Sequence, residues 1–207
     1  MSAPVDHATR HPDADDADIA DMASWEGRAF GAIVLAAFLL YGIGSAATDR
    51  PIGITLVVVN SIAVSCAGWI GFRLVRWAEH GVGVGYLVAR VAEAVLLAGG
   101  IVLAEFADVA DADNIGYLIA MIALALGSIP FCRTLGRRRW IPRPLATWGV
   151  YGYAALAVGA LLELLTDRPL TVLFAVPGGL FELVFGLYVV RYGFRRPTEL
   201  ESDPNPR

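Results

Sequence analysis

"GYLVARVAEAVLLAGG", residues 85–100, is an apolar run broken only by Arg90 and Glu93. It sits in a longer stretch, Val82 to Ala104. That is close to the ~20 residues a helix rising about 1.5 Å per residue needs to cross about 30 Å of hydrocarbon. A charge at the middle of such a helix costs about 2.5–3.5 kcal/mol on insertion scales, so Arg90 and Glu93 need partners and an interior position. Residues three apart share one helix face, and the two can meet each other as well as a common third group.

The rest of the chain repeats the pattern. Five further runs match it in length: Phe30 to Ala47, Ile52 to Phe72, Ile115 to Cys132, Leu145 to Leu165 and Leu170 to Tyr192. Hydrophobic residues make up 57% of the 207, charged residues only 17%, and the mean hydropathy is +0.59. Soluble domains carry about a quarter charged residues, so this excess of apolar surface has to face lipid. Helices or closed barrels alone can span a bilayer, and the runs lack the alternation of barrel strands. The expected fold is an all-α bundle of six transmembrane helices.

The arginines orient it. All 16 basic residues are arginine, the usage of a GC-rich bacterial genome. With both termini cytoplasmic, 13 lie inside: Arg10, Arg28, Arg73, Arg76, Arg133, Arg137, Arg138, Arg139, Arg143, Arg191, Arg195, Arg196 and Arg207. Only Arg50 and Arg168, each in a "TDRP", lie outside, where the longest loop, "EFADVADADN", is acidic. This is the asymmetry of the positive-inside rule. Trp25, Trp77, Trp140 and Trp148 fall near the same cytoplasmic boundary. The basic cluster "RTLGRRRWIPRP", residues 133–144, has the composition of an anionic-lipid or nucleic-acid site. The topology already requires an arginine-rich cytoplasmic loop there, so it is read as an anchor, with no nucleic-acid partner.

Three regions follow: an acidic, disordered cytoplasmic tail over 1–27, the six-span domain over 28–194 and a short cytoplasmic tail over 195–207. The tail has no basic start followed by an apolar stretch, so it does not read as a cleavable signal peptide. Cys66 and Cys132 read as small core residues, since no CxxC or even-numbered framework is present.

Small residues mark the faces on which membrane helices touch. They are Gly116, Ala120, Ala123 and Gly127 on the fourth helix, and Gly152, Ala155 and Gly159 leading to Glu163 on the fifth. On the sixth, Gly178 and Gly186 flank Glu182, and Pro177 should loosen the helix just before it. Depth then picks out a layer. Arg90 falls roughly 10 Å from the cytoplasmic side, with Glu93, Glu182 and Asn60 at roughly 15 Å. Arg90 is expected to be the counter-ion of Glu93, Glu182 or both. Two carboxylates facing one arginine leave one acid without a counter-charge, the condition under which a carboxylate holds a proton.

Two readings of Arg90, Glu93, Glu182 and Asn60 stay open. In one the layer lines a cavity for a small polar ligand or a proton, as in a carrier. In the other it only fixes helix packing in a structural or signalling protein that meets another membrane protein through its loops. A cavity reaching the layer favours the first, and a solidly packed layer the second. Asn60, Ser61 and Ser65 are either ligand contacts or hydrogen bonds across helices. Glu163, near Asp167 and Arg168, reads as reaching the interface. Histidines occur only at His7, His11 and His80, and HExxH, GxSxG, Walker and Rossmann patterns are absent. No catalytic residue, metal or cofactor is therefore assigned, and an enzyme is not expected.

"YLVARVAEAVLLAGG" (86–100), "IPRPLATWGVYGYAALAVGALLELL" (141–165), "PGGLFELVFGLYVVRYGF" (177–194) and "AAFLLYGIGSA" (36–46) together resemble domain-of-unknown-function family 4386. Its members are small six-pass bacterial membrane proteins. The resemblance extends over about Arg28 to Phe194, with the acidic tail outside it. It implies a place in the bacterial plasma membrane and makes Arg90, Glu93 and Glu182 part of the family pattern. It carries no reaction or substrate.

Overall fold

The six runs become six helices in the computed structural model. It describes residues 12–48, 50–166 and 168–194, with side chains placed from Trp25 onward. The helices are α1 (Pro12–Ser45), α2 (Pro51–Val75), α3 (His80–Ala107), α4 (Ala112–Arg137), α5 (Arg143–Thr166) and α6 (Thr171–Tyr192). Each contains a segment long and apolar enough to cross a membrane, and the described residues include no strand. The chain is an all-α, multi-pass membrane protein. The apolar runs fall within these helices to within two residues at either end. Both outermost tails, 1–11 and 195–207, lie outside the described residues.

Local chemistry explains the ends. Helix α1 begins at Pro12, within the stretch assigned to the acidic tail, and its apolar span begins at Trp25. Proline is pre-organised for a first helical turn, and acids are favoured at the positive end of the helix dipole. Pro51 opens α2 in the same way. Between α3 and α4 the chain reverses through Asp108 and Asp111, both left-handed, with φ of 53° and 57°. Aspartate tolerates that region better than most residues.

Each helix packs on its neighbours in sequence, and α1 closes on α6, so the six form a ring. Close backbone approaches fix it. A Cβ on Gly116 would stand 3.1 Å from the Gly100 Cα, which joins α4 to α3, and a Cβ on Gly152 would stand 3.0 Å from the Gly178 Cα, which joins α5 to α6. A Cβ on Gly31 would meet the Gly186 carbonyl oxygen at 2.8 Å, which joins α1 to α6. Without a hydrophobic force between helices in lipid, such small-residue contacts carry association. Outside the ring, Val58, Ile62, Trp69, Val95, Leu126 and Leu187 are exposed as a lipid-facing surface. Cys66 joins that face, and only Cys132 is buried. The expectation of two core cysteines is corrected for Cys66, which follows Ser65 around α2 onto the outer side.

The arginine-bearing ends are tied together. Arg73 of α2 pairs with Glu26 of α1 at 2.7 Å. Glu79, before α3, pairs with Arg137 and accepts a hydrogen bond from the Thr134 hydroxyl at 3.1 Å, both on α4. Arg138 donates to the Ala78 carbonyl at 3.2 Å. Part of the basic cluster therefore serves as a clasp between the α2–α3 connection and the end of α4.

Candidate functional site

Inside the ring lies a cavity of about 260 Å³ to which all six helices contribute. Arg90, Glu93, Glu182 and Asn60, the four residues singled out by depth in the sequence, all line it.

The arginine divides its contacts unequally. Its Nη1 pairs with Glu93 Oε2 at 2.9 Å, while its Nη2 stands 3.8 Å from Glu182 Oε1. Its Nε donates to the Tyr86 hydroxyl at 3.0 Å, one turn earlier on α3. The Arg90 and Glu93 side chains are each 6% exposed, that of Glu182 18%. Glu93 is thus the close counter-ion, and Glu182 is the carboxylate left facing the cavity. Gly68 on α2 makes room for the arginine: a Cβ there would stand 2.7 Å from the Arg90 Cβ.

Glu182 is held from a second helix. The Tyr153 hydroxyl of α5 donates to its Oε1 at 2.8 Å. The approach of Gly152 to Gly178 brings these helices close enough for that bond. The two glycines flanking Glu182 face different partners, Gly178 towards α5 and Gly186 towards Leu35 and Gly31 of α1. Glu182 therefore points between those contacts, into the ring. Helix α6 continues through Pro177, whose carbonyl accepts a bond from Trp148 Nε1 at 3.1 Å.

Asn60 is 2% exposed, and its Oδ1 has no hydrogen-bond donor among the described residues. A buried acceptor without a donor costs about 1–3 kcal/mol. Its neighbours behave differently. Ser61 and Ser65 donate to carbonyls four residues back in α2, those of Val57 and Ser61 at 3.1 and 2.9 Å. They satisfy themselves within their own helix. Glu163 does not simply reach the interface: its Oε2 accepts the Thr171 backbone N–H at 2.8 Å, capping the first residue of α6. A buried amide at a helix start, with no partner inside its own helix, is satisfied there by a charge of the favourable sign.

The cavity is asymmetric along the bundle. Towards the arginine-bearing ends it is stopped by packed rings: Tyr86 stacks on Phe131 with centroids 4.0 Å apart, and Phe181 on Phe185 at 5.3 Å. Phe30 joins both pairs, 6.0 Å from Phe131 and 6.0 Å from Phe185. In the other direction the lining continues along α1 from Val34 to the exposed Gly42 and Ser45, and on α4 to Tyr117. Tyr41 and Tyr117 stack there at 5.8 Å with their planes 6° apart. The walls between are mostly aliphatic, with Val64, Leu97, Leu124 and Leu156 among them.

The sequence reading missed the tyrosines. Tyr86 was legible as the residue four before Arg90, on the same helix face. Tyr153, directly after Gly152 of the small-residue stripe, needed the packing of α5 on α6 to acquire its partner. The described residues contain no cluster of three or more metal-ligating side chains. No curated protein and no solved structure matches the chain. Residues 102–193, a little under half of it, match the family model described as Domain of unknown function (DUF4386), the family that the sequence resembles. The match includes Glu182 and Tyr153, while Arg90, Glu93 and Asn60 precede it.

Proposed function

We propose that this multi-pass membrane protein binds a small ligand in the cavity at Arg90, Glu93, Glu182 and Asn60, as a non-enzymatic binding protein or proton-linked carrier. Its arginine-rich ends face the cytoplasm of a bacterium, in accord with the positive-inside rule. The observation that carries this reading is that a cavity of about 260 Å³ reaches the charged layer instead of ending short of it. Intramembrane charges that face a cavity mark ligand or proton paths. A layer serving only to fix helix packing would be filled by side chains. Moreover, the closer of the layer's two ion pairs joins Arg90 to Glu93 within α3 and so ties no two helices together. The aromatic stopper at one end and the lining that runs out to Ser45 at the other support access from the side opposite the arginines.

The test is an experimentally determined structure of the protein purified from its own membrane. Density in the cavity beside Arg90 and Glu182 is expected. A cavity collapsed onto the charged layer, with Glu182 packed by side chains, would contradict the proposal and favour the interaction-protein reading.

A further inference from the structure

We infer that the cavity takes a singly charged organic cation, its charged head at Glu182 and Asn60 and its apolar body against the aliphatic walls. This rests on the reading of the cavity as a ligand site.

The charge count gives the sign. Arg90, Glu93 and Glu182 are the charged residues of the lining. Glu93 neutralises Arg90 at 2.9 Å, which leaves Glu182, three times as exposed, as the excess anion. An anionic ligand would meet repulsion. A neutral one would leave a desolvated carboxylate without a counter-charge, which is costly in a low-dielectric site.

Hydrogen bonding points the same way by an independent route. Asn60 Oδ1 is a buried acceptor with no donor. Glu182 receives its hydrogen bond from Tyr153 on Oε1, and no donor among the described residues reaches Oε2. Arg90, the strongest donor present, spends Nε on Tyr86 and Nη1 on Glu93, and its Nη2 faces Glu182 Oε1 at 3.8 Å. Beside that donor the cavity holds unfilled acceptors at Asn60 Oδ1 and Glu182 Oε2, which an ammonium-type head would fill.

The walls give the body. Val34, Val64, Leu97, Leu124 and Leu156 offer apolar surface, and the stacked Tyr41 and Tyr117 offer ring faces on the way in. Aromatic faces attract cations, more strongly where water is excluded. At about 260 Å³ the space falls just below the range of drug-sized ligand pockets, about 300 to 1,000 Å³, and so suits a small ligand.

The groups that bear on Glu182 are Arg90, Glu93 and Tyr86 of α3, Tyr153 of α5, and Tyr117 and Cys132 of α4. From α1, Tyr41 faces the same cavity. Arg90 remains the sole cation of the set, so nothing else within it can compensate Glu182.

The experiment is calorimetric titration of the full chain in lipid nanodiscs with benzyltrimethylammonium, benzyl alcohol and benzoate, similar in size and different in charge. The cation should bind at least about tenfold more tightly than the other two, and Glu182→Gln should erase that preference. Glu182→Asp, which keeps the charge, should retain it and so separates charge from misfolding. Binding of the alcohol or benzoate as tight as that of the cation would overturn the cation assignment while leaving a ligand cavity. Absence of binding by all three would overturn the ligand reading as well.

Discussion

The Tyr153 hydroxyl donates to Glu182 Oε1 at 2.8 Å, and Arg90 Nη2 stands 3.8 Å from that same oxygen. The carboxylate is therefore positioned by α5 and only loosely by the arginine of α3. Tyr153→Phe removes the closer of the two. Losing one hydrogen bond to a buried charged group costs about 1.5–3 kcal/mol. The variant should melt at a lower temperature than the wild type in matched detergent, while Glu182→Gln with Tyr153 retained should lose less. Equal melting of Tyr153→Phe and wild type would show that the bond does not hold Glu182.

The Arg90–Glu93 pair gives a sharper thermodynamic test. Removing one member of a buried pair strands the other and costs about 3–5 kcal/mol, whereas removing both leaves no stranded charge. Arg90→Ala should therefore be less stable than the double variant Arg90→Ala, Glu93→Ala. Reversible unfolding of the four members of the cycle measures this. Losses that simply add would mean that the two residues are not energetic partners, despite their 2.9 Å separation.

Gly68 supplies the space that Arg90 occupies. A Cβ there would lie 2.7 Å from the Arg90 Cβ, well inside contact distance. Gly68→Val should push α2 from α3 and destabilise by about 1–3 kcal/mol, the usual cost of overpacking. Gly81→Val, at a glycine with open space around it, should cost far less and serves as the control. Equal effects of the two would contradict the close approach at Arg90.

Orientation can be checked without a ligand. Single cysteines at Asp111 and at Arg139, both exposed and at opposite ends of α4, should be labelled from opposite sides by an impermeant reagent, in a background lacking Cys66 and Cys132. Only the Arg139 position should react from the cytoplasmic face. Labelling of both from one side would contradict six crossings.

These tests draw unequally on what the sequence made legible. Helix number and extent were readable because lipid imposes a length and an apolar composition on every span. Arg90, Glu93, Glu182 and Asn60 could be set at one depth because the rise per residue is fixed. Their division of labour could not. Whether Arg90 turns to Glu93 or to Glu182 depends on side-chain placement around the ring, and the role of Tyr153 depends on how closely Gly152 meets Gly178. Cys66 shows the same limit from outside, since one position on α2 decides between core and lipid. Glu163 shows it at a helix end, where the partner is a backbone N–H on the next helix. The cavity itself is a property of six helices failing to fill their common centre, and no single run encodes it.

The reactivity of a cysteine deep in that cavity reports whether the cavity reaches the charged layer. Leu156→Cys lies one turn from Tyr153 on the same face, in a chain otherwise without cysteine. It should be treated in sealed vesicles with small cationic and anionic thiosulfonate reagents, from each side in turn. Modification is expected from the side opposite the arginines, faster with the cationic reagent, with loss of that charge preference in Glu182→Gln. A cysteine that stays unmodified from that side, or that reacts only from the arginine-rich side, would contradict a cavity reaching the charged layer.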